Sequence, residues 1–168
     1  MKAQTWQSFS AMHAQLLQMR ASVSYTVGVF ATVRDAERRI LLVEQSYAGR
    51  HWAQPGGGLE DGENPIDGVL REILEETGYV AEVTGFIGTY VSVFRSDIVL
   101  HFAARIVRES EWKPNREILQ RCFFRPNELP AKLRANTRAR ILDGIEDRRN
   151  VFRTLSAIDT WTDLEDIR

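Results

Sequence analysis

Residues 57–79 read GGLEDGENPIDGVLREILEETGY, and this stretch combines a glycine-rich turn with a strongly signalled helix. Asn64 is a good N-cap, Pro65 suits the first helical position, and Asp67 places a negative charge in the first turn. Gly78 supplies the stop at the other end, because glycine readily adopts the left-handed conformation that follows many helices. The pattern therefore predicts a helix that runs from Pro65 to the residue before Gly78.

This helix has two distinct faces. Its apolar side chains, which form a stripe expected to be buried, are Ile66, Val69, Leu70 and Ile73. At about 100° per residue, Glu72, Glu75 and Glu76 fall within a neighbouring arc of roughly 100°. The three acids are therefore expected along the edge of a packed face, on a rigid element.

Clustered acids on a helix usually form a solvated face, so a metal site needs further support. Two carboxylates about 6 Å apart repel by roughly 3 kcal/mol at an effective dielectric of about 20, but by less than about 1 kcal/mol in bulk water. Repulsion alone does not demand a cation. The glycine turn, the lone Glu63 and the adjacent Arg71 and Glu72 at this spacing favour a metal site, and hard oxygen ligands suit Mg²⁺ or Mn²⁺.

The stretch resembles the Nudix box, which has the form G-x5-E-x7-R-E-U-x-E-E-x-G-U with U a bulky aliphatic residue. The positions that match in register are Gly57, Glu63, Arg71, Glu72, Ile73, Glu75, Glu76 and Gly78. Only Tyr79 departs, and it is still large and mostly apolar. The resemblance extends loosely over residues 22–148, where CFFRPNELP (122–130) is similar to the family's late strand and E-L-P turn. It implies an α/β (α+β) Nudix fold, with a mixed β-sheet sandwiched between helices.

The resemblance also implies which residues act. The residues expected at a Mg²⁺ or Mn²⁺ site are Gly57, Glu72, Glu75 and Glu76. The expected catalytic residues are Glu63, Arg71, Glu72 and Glu76, with Arg71 orienting the helix and Glu63 assisting it. The identity of the general base stays open: Glu72 or Glu76 could serve, and so could a residue on a loop outside the box, for which Asp97 and Glu117 are candidates.

The activity implied by the resemblance is water attack on a diphosphate linkage, which splits a nucleoside diphosphate from a group X, as in a nucleotide sugar. The flanking segments lack the motifs that accompany relatives acting on coenzyme A, NADH, ADP-ribose or diadenosine polyphosphates. Two alternatives remain: a (deoxy)nucleoside triphosphate pyrophosphohydrolase, and a catalytically silent Nudix-like nucleotide sensor. An RNA 5′-end pyrophosphohydrolase would favour a basic channel, which the net charge of −1 does not support.

Composition sets broad limits on partners and compartment. The chain has 168 residues, 43% of them hydrophobic and 27% charged, which fits one globular domain. A net charge of −1 gives no electrostatic case for nucleic acid or an anionic membrane. The single cysteine, Cys122, allows no internal disulfide, and no apolar run has the length of a signal peptide or a transmembrane segment. A cytoplasmic enzyme that acts on a nucleotide-type small molecule is the expectation.

Three segments are predicted along the chain. They are an amphipathic helical extension (1–21), a Nudix domain (22–149) and a tail that docks on the domain or a partner (150–168). Within the domain the predicted strands are 23–33 and 39–45, joined as a hairpin, then 80–94, 98–107 and 120–125, followed by a helix over 136–147. The N-terminal extension is a plausible interface, so a homodimer is one expectation for the assembly.

Substrate contacts are expected from loops outside the box. The candidates are Tyr47, Arg50, Trp52 and Asp97, where the Trp52 ring could equally pack under the glycine turn. His101 is interpreted as a satisfied core or surface histidine. The basic residues near the predicted last helix, interpreted as a solvated face, are Arg134, Arg138, Arg140, Arg148 and Arg149.

Overall fold

The structure, a computed structural model, describes residues 24–47 and 49–156. The predicted N-terminal extension and the last part of the predicted tail lie outside the described residues. The division of the chain into extension, domain and tail therefore stays a prediction.

The described residues form two α-helices, one short 3₁₀ helix (Val93–Arg95) and eight strands. Helix α1 spans Pro65–Thr77 and helix α2 spans Ala135–Ile145. The strands are β1 (Thr26–Arg34), β2 (Ile40–Gln45), β3 (Trp52–Ala53), β4 (Gly56–Gly58), β5 (Tyr79–Ser92), β6 (Asp97–Glu109), β7 (Ile118–Phe124) and β8 (Val151–Leu155). In this part of the chain, neither helix has the length and apolar character needed to cross a bilayer.

The strands form one mixed sheet with the order β3-β2-β1-β6-β5-β8, while β4 pairs with β1 and β7 pairs with β2. Strands β1 and β6 are parallel, as are β5 and β8, and the remaining pairs are antiparallel. The predicted hairpin of the first two strands is minimal, because their register joins only Arg34 to Ile40. The main partner of β1 is instead the distant strand β6.

The two helices cover opposite faces of this sheet, because successive side chains of a strand point to opposite sides. Val29 and Ala31 of β1 pack in one cluster with Val69 and Ile73 of α1. Thr32, which follows Ala31 and points to the other face, meets α2, where a Cβ added at Gly144 would lie 2.2 Å from Thr32 Oγ1. A second cluster on the α2 side contains Ile40, Leu42, Leu133 and Ile141. The predicted sheet between helices is confirmed.

The first part of the tail adds an edge strand to the sheet. Strand β8 runs parallel to the end of β5, with Gly88 opposite Val151. A Cβ at Gly88 would lie 2.3 Å from the Val151 carbonyl oxygen, so only glycine allows this approach. Residues 151–155 therefore pack on the domain.

Candidate active site

Helix α1 has the boundaries that its sequence predicts. The Asn64 side-chain oxygen accepts a hydrogen bond of 2.9 Å from the Ile66 N–H, which satisfies one donor of the first turn. Gly78 is left-handed with φ 67°, and its N–H donates to Leu74 O at 2.7 Å. Val69 and Ile73 are fully buried beneath the helix. These contacts fix the position of the helix on the sheet. They therefore also fix the acidic edge of the helix, formed by Glu72, Glu75 and Glu76.

Arg71 joins the helix to the loop and the turn that precede it. Its Nε and Nη2 donate to the two carboxylate oxygens of Glu63 at 2.8 and 3.0 Å. Its Nη1 donates to Glu72 at 3.0 Å and to Glu75 at 3.2 Å, while Nη2 also donates to Gly58 O at 3.2 Å. The hydrogen bonds from Arg71, together with the Glu60 N–H, lower the pKa of Glu63 to about 2. The guanidinium group therefore connects the loop, the glycine turn and two of the predicted metal ligands.

The glycine turn lies directly against the acidic edge. Gly56 has φ 146°, a conformation open to glycine, and its N–H donates to Glu76 Oε2 at 2.9 Å. A Cβ at Gly57 would lie 2.5 Å from Glu72 Oε1, so a larger residue there would push the Glu72 carboxylate aside. Gly56 is thus required by its backbone conformation and by the closeness of β1, and Gly57 by its close contact with the Glu72 carboxylate.

Burial raises the pKa of both Glu72 and Glu76. Glu76 is only 9% exposed. The pKa of its side chain rises to about 8, chiefly because burial disfavours the charged form. The neighbouring acids Glu72, Glu117 and Glu75 raise it further. Burial is also the largest cause of the raised pKa of Glu72. A nearby cation would therefore stabilise the ionised form of these two carboxylates.

The donor set suits a hard divalent cation, although the carboxylates are engaged with protein groups in this conformation. Among the residues that the structure describes, no three His, Cys, Asp or Glu side chains are grouped closely enough to hold a metal ion. Glu72 and Glu75 accept from Arg71, and Glu76 accepts from Gly56. Three carboxylates on one helix edge, two of them with raised pKa values, nevertheless match the oxygen ligands that Mg²⁺ and Mn²⁺ prefer.

A cavity of about 350 Å³ opens beside the glycine turn, whose three residues, Gly56 to Gly58, form part of its wall. Tyr47, Trp52 and Asp97 line it, whereas Arg50 is not among its lining residues. The Trp52 ring also packs edge-on against Phe124 at 4.9 Å, so it serves the core as well as the cavity. Three of the four candidate substrate contacts are therefore brought together.

The two candidate bases outside the box occupy different places. Asp97 lines the cavity and accepts a hydrogen bond of 2.8 Å from Thr26 Oγ1. Glu117 is exposed on the loop before β7, and its charge raises the pKa of Glu76. Glu117 is thus electrostatically coupled to the acidic edge, and the choice between these two bases stays open.

The interpretation of Arg140 as part of a solvated helix face is wrong. Arg140 is 3% exposed and lines the cavity, because it projects from the face of α2 that packs on the sheet. It lies three residues after Thr137 and four before Gly144, both buried in the structure, and so shares their face of α2. Arg134, Asn136 and Thr137, at the start of the same helix, also line the cavity and had no part in the predicted site.

A buried polar network links the cavity to the glycine turn. Gln54, two residues before Gly56, accepts from Arg140 Nε at 3.2 Å. Its amide nitrogen donates to Thr32 Oγ1 at 2.9 Å and lies 2.8 Å from His101 Nε2. Burial lowers the pKa of His101 well below its usual value, so the ring is neutral and accepts from Gln54. His101 is the core histidine that its strand position suggests.

Comparison with known proteins agrees with this geometry. The family model of the NUDIX domain matches residues 24–144 of the sequence. A MutT-like protein of Streptomyces ambofaciens is 30% identical over 122 residues, which cover 73% of this chain and 78% of that protein. A Bacillus subtilis protein provisionally named an 8-oxo-dGTP diphosphatase is 42% identical over 66 residues, 39% of this chain and 44% of the relative.

A solved structure has the same fold. The crystal structure of a UDP-X diphosphatase superposes with a TM-score of 0.65 at 24% identity, covering 86% of this chain and 74% of that one. At this identity the likeness concerns the fold. The match to the domain model extends over most of the chain and includes both the box and the strands that carry it. The chain belongs to the NUDIX hydrolase family.

Proposed function

We propose that this protein is a metal-dependent pyrophosphohydrolase that cleaves the diphosphate linkage of a nucleoside diphosphate derivative, such as a nucleotide sugar. One observation carries the proposal: the glycine turn that contacts Glu72 and Glu76 is also a wall of the cavity. A substrate in the cavity would therefore bring its diphosphate to the acidic edge.

The residues of α1 would have two different roles in such a site, metal binding and positioning. Glu72, Glu75 and Glu76 would hold Mg²⁺ or Mn²⁺, with the Gly57 turn close to the same point. When bound, the cation would neutralise phosphate charge and polarise the linkage that is cleaved. Arg71, fixed by Glu63, holds Glu72 and Glu75 in position and keeps the helix edge aligned with the turn.

The attacking water needs a proton acceptor. Glu76 is a buried carboxyl group whose pKa is raised to about 8, so it is largely protonated at pH 7 in the absence of a cation. A cation bound beside it would favour its ionised form, which could then accept the proton. Glu117 is a second candidate because its charge acts on Glu76. Proton transfer to either carboxylate completes the addition of water across the linkage, giving a nucleoside monophosphate and a phosphorylated X.

The cavity fits the rest of such a substrate. A volume of about 350 Å³ lies within the range typical of sites for small organic ligands. Tyr47 and Trp52 supply aromatic surfaces for a base or a sugar ring. The name of the UDP-X diphosphatase that shares this fold points to the same substrate class.

A nucleoside triphosphate is the second candidate substrate class, favoured by the name of the Bacillus subtilis relative. The products separate the two classes. A nucleotide sugar would give a nucleoside monophosphate and a sugar phosphate, whereas a triphosphate would give a nucleoside monophosphate and pyrophosphate.

The test is a screen of nucleotide sugars, dinucleotides and nucleoside triphosphates with Mg²⁺, in which Glu76→Gln serves as the control. We expect product from at least one nucleotide sugar with the native protein and loss of product when a chelator is added. If the native protein releases no more product than Glu76→Gln from any compound, the enzyme proposal is wrong and a nucleotide sensor becomes the better explanation.

A further inference from the structure

Arg140 is a buried cation whose hydrogen-bond partners, among the residues that the structure describes, are neutral side chains. Its Nε donates to Gln54 Oε1 at 3.2 Å, and its Nη2 donates to Thr137 Oγ1 at 3.4 Å. Its guanidinium carbon lies 4.6 Å from the centre of the Phe30 ring. Within residues 24–47 and 49–156, no carboxylate forms an ion pair with it.

The acid nearest to Arg140 along α2, Asp143, is already paired with other residues. Asp143 accepts two hydrogen bonds from Arg153, at 2.7 and 2.6 Å, and one from the Tyr90 hydroxyl at 2.7 Å. Arg148 lies 3.5 Å from the same carboxylate. The helix thus contains a buried acid with several cationic partners and, one turn earlier, a buried cation without an acid.

A guanidinium group that is removed from water without a counter-charge is costly to the fold. Burial lowers the pKa of Arg140 to about 10, although the charge of Asp97 in the same cavity acts in the opposite direction, and Arg140 is still charged near pH 7. An anion that enters the cavity would supply the missing charge, and arginine binds carboxylates and phosphates through paired hydrogen bonds.

The rest of the cavity has the same electrostatic character. Arg95 and Arg134 line it together with Arg140. Among the lining residues that the structure describes, Asp97 is the only acid. The guanidinium groups of Arg134 and Arg140 alone outnumber this carboxylate, and aromatic surfaces from Phe30 and Trp52 lie beside them.

We propose that this cavity binds an oxyanion, a carboxylate or a phosphate, that the substrate carries outside its diphosphate, and that Arg140 is its central contact. The inference rests on the proposed function, and it narrows the substrate class to acidic nucleoside diphosphate derivatives. The acidic edge of α1 would then bind the diphosphate through its cation, while Arg140 in the cavity would distinguish acidic substrates from neutral ones.

Two matched substrate pairs test this specificity. UDP-glucuronate differs from UDP-glucose by a carboxylate in place of a hydroxymethyl group, and the 2′-phosphate of ADP-ribose differs from ADP-ribose by one phosphate. The native protein should give a kcat/KM about tenfold or more higher for the acidic member of at least one pair. The pair that shows the preference identifies the oxyanion as a carboxylate or a phosphate.

Variants then assign the preference to Arg140. Arg140→Met keeps much of the side-chain volume without the charge, so it should lower kcat/KM for the acidic member about tenfold more than for the neutral member and so remove the preference. Arg138→Met is the matched control on the same helix, since Arg138 does not line the cavity, and it should keep the preference. If Arg140→Met fails to fold, the half-buried Arg134→Gln is the second variant, and it should reduce the preference.

Three outcomes would overturn the proposal. They are equal kcat/KM for both members of each pair, an unchanged preference in the folded variants, and an equal loss for acidic and neutral members in Arg140→Met. If no compound is hydrolysed, the proposed function fails, but calorimetric binding of the same pairs in chelator still decides this inference. Tighter binding of an acidic member that Arg140→Met abolishes would support it, and equal binding would refute it.

Discussion

The Nε atom of Arg71 lies 2.8 Å from Oε1 of Glu63, and this ion pair ties the loop before α1 to the middle of the helix. The same guanidinium also contacts Glu72 and Glu75. Glu63 therefore helps to hold these two carboxylates in place through Arg71. The pair is therefore both a stability contact and a positioning contact.

We expect Glu63→Gln to reduce the acid sensitivity of the fold. The folded pKa of Glu63 is about 2, below the value of about 4.3 for an unfolded glutamate, so its ionised form stabilises the fold above that value. The contribution is lost as the pH falls towards 2. Urea unfolding at pH 5, 4, 3 and 2 should therefore show a gap between native and Glu63→Gln that narrows as pH falls.

The neighbouring Glu60→Gln is the control for this measurement, since the hydrogen bonds between Glu60 and Glu63 involve only the backbone N–H and carbonyl groups of Glu60. Its free energy of unfolding should stay within about 0.5 kcal/mol of the native value. A gap between native and Glu63→Gln that is constant from pH 5 to pH 2 would mean that the ion pair does not stabilise the fold.

Gly57→Ala should impair catalysis more than stability. The added methyl group would lie 2.5 Å from Glu72 Oε1, and the flexible end of that side chain can move away without disturbing the backbone. Displacement of a ligand by about 1 Å is enough to reduce kcat about 10²-fold. Gly58→Ala is the matched control, because nothing lies within 4 Å of a Cβ there, and its kcat should be nearly native. Equal activity of the two variants would contradict the predicted role of Glu72.

Glu76→Gln should separate metal binding from folding. The amide can still accept from the Gly56 N–H, so the fold should persist, but it is a poor ligand for a hard cation. A cation at 100 times its Kd stabilises the native protein by about 2.7 kcal/mol, which thermal unfolding detects as a higher Tm. We expect Mg²⁺ to raise the Tm of the native protein and leave that of Glu76→Gln unchanged, with kcat falling about 10²–10³-fold in the variant. Asp67→Asn, on the same helix, should keep the metal response.

Local signals explain why α1 could be predicted from sequence and the opposite wall of the cavity could not. The boundaries of α1 follow from Asn64 and Gly78, which act on their own helix ends. The burial of Arg140 instead depends on its contact with Gln54, 86 positions away, and on the packing of α2 against the sheet. A run of arginines has the composition of a solvated face, and only the tertiary fold turns one of them inward.

Strand pairing shows the same division between local and distant information. The antiparallel β5–β6 connection is short, and its two strands were readable from alternation alone. The parallel pairing of β1 with β6 joins Val29 to Leu100, which no local pattern specifies. This pairing brings Thr26 beside Asp97, and both residues line the cavity.

Tyr79, the one departure from the box pattern, makes a contact that an aliphatic residue would lose. The Arg121 guanidinium carbon lies 4.2 Å from the centre of its ring, and Arg121 also donates to the carbonyl oxygen of Thr77 at the end of α1. Tyr79→Leu should therefore destabilise the fold by about 1 kcal/mol, lowering the Tm by about 2–4 °C, whereas Tyr79→Phe keeps the ring and should be nearly neutral. Thermal unfolding of the two variants measures the difference. A Tyr79→Leu protein as stable as Tyr79→Phe would show that Arg121 holds the helix end through Thr77 alone.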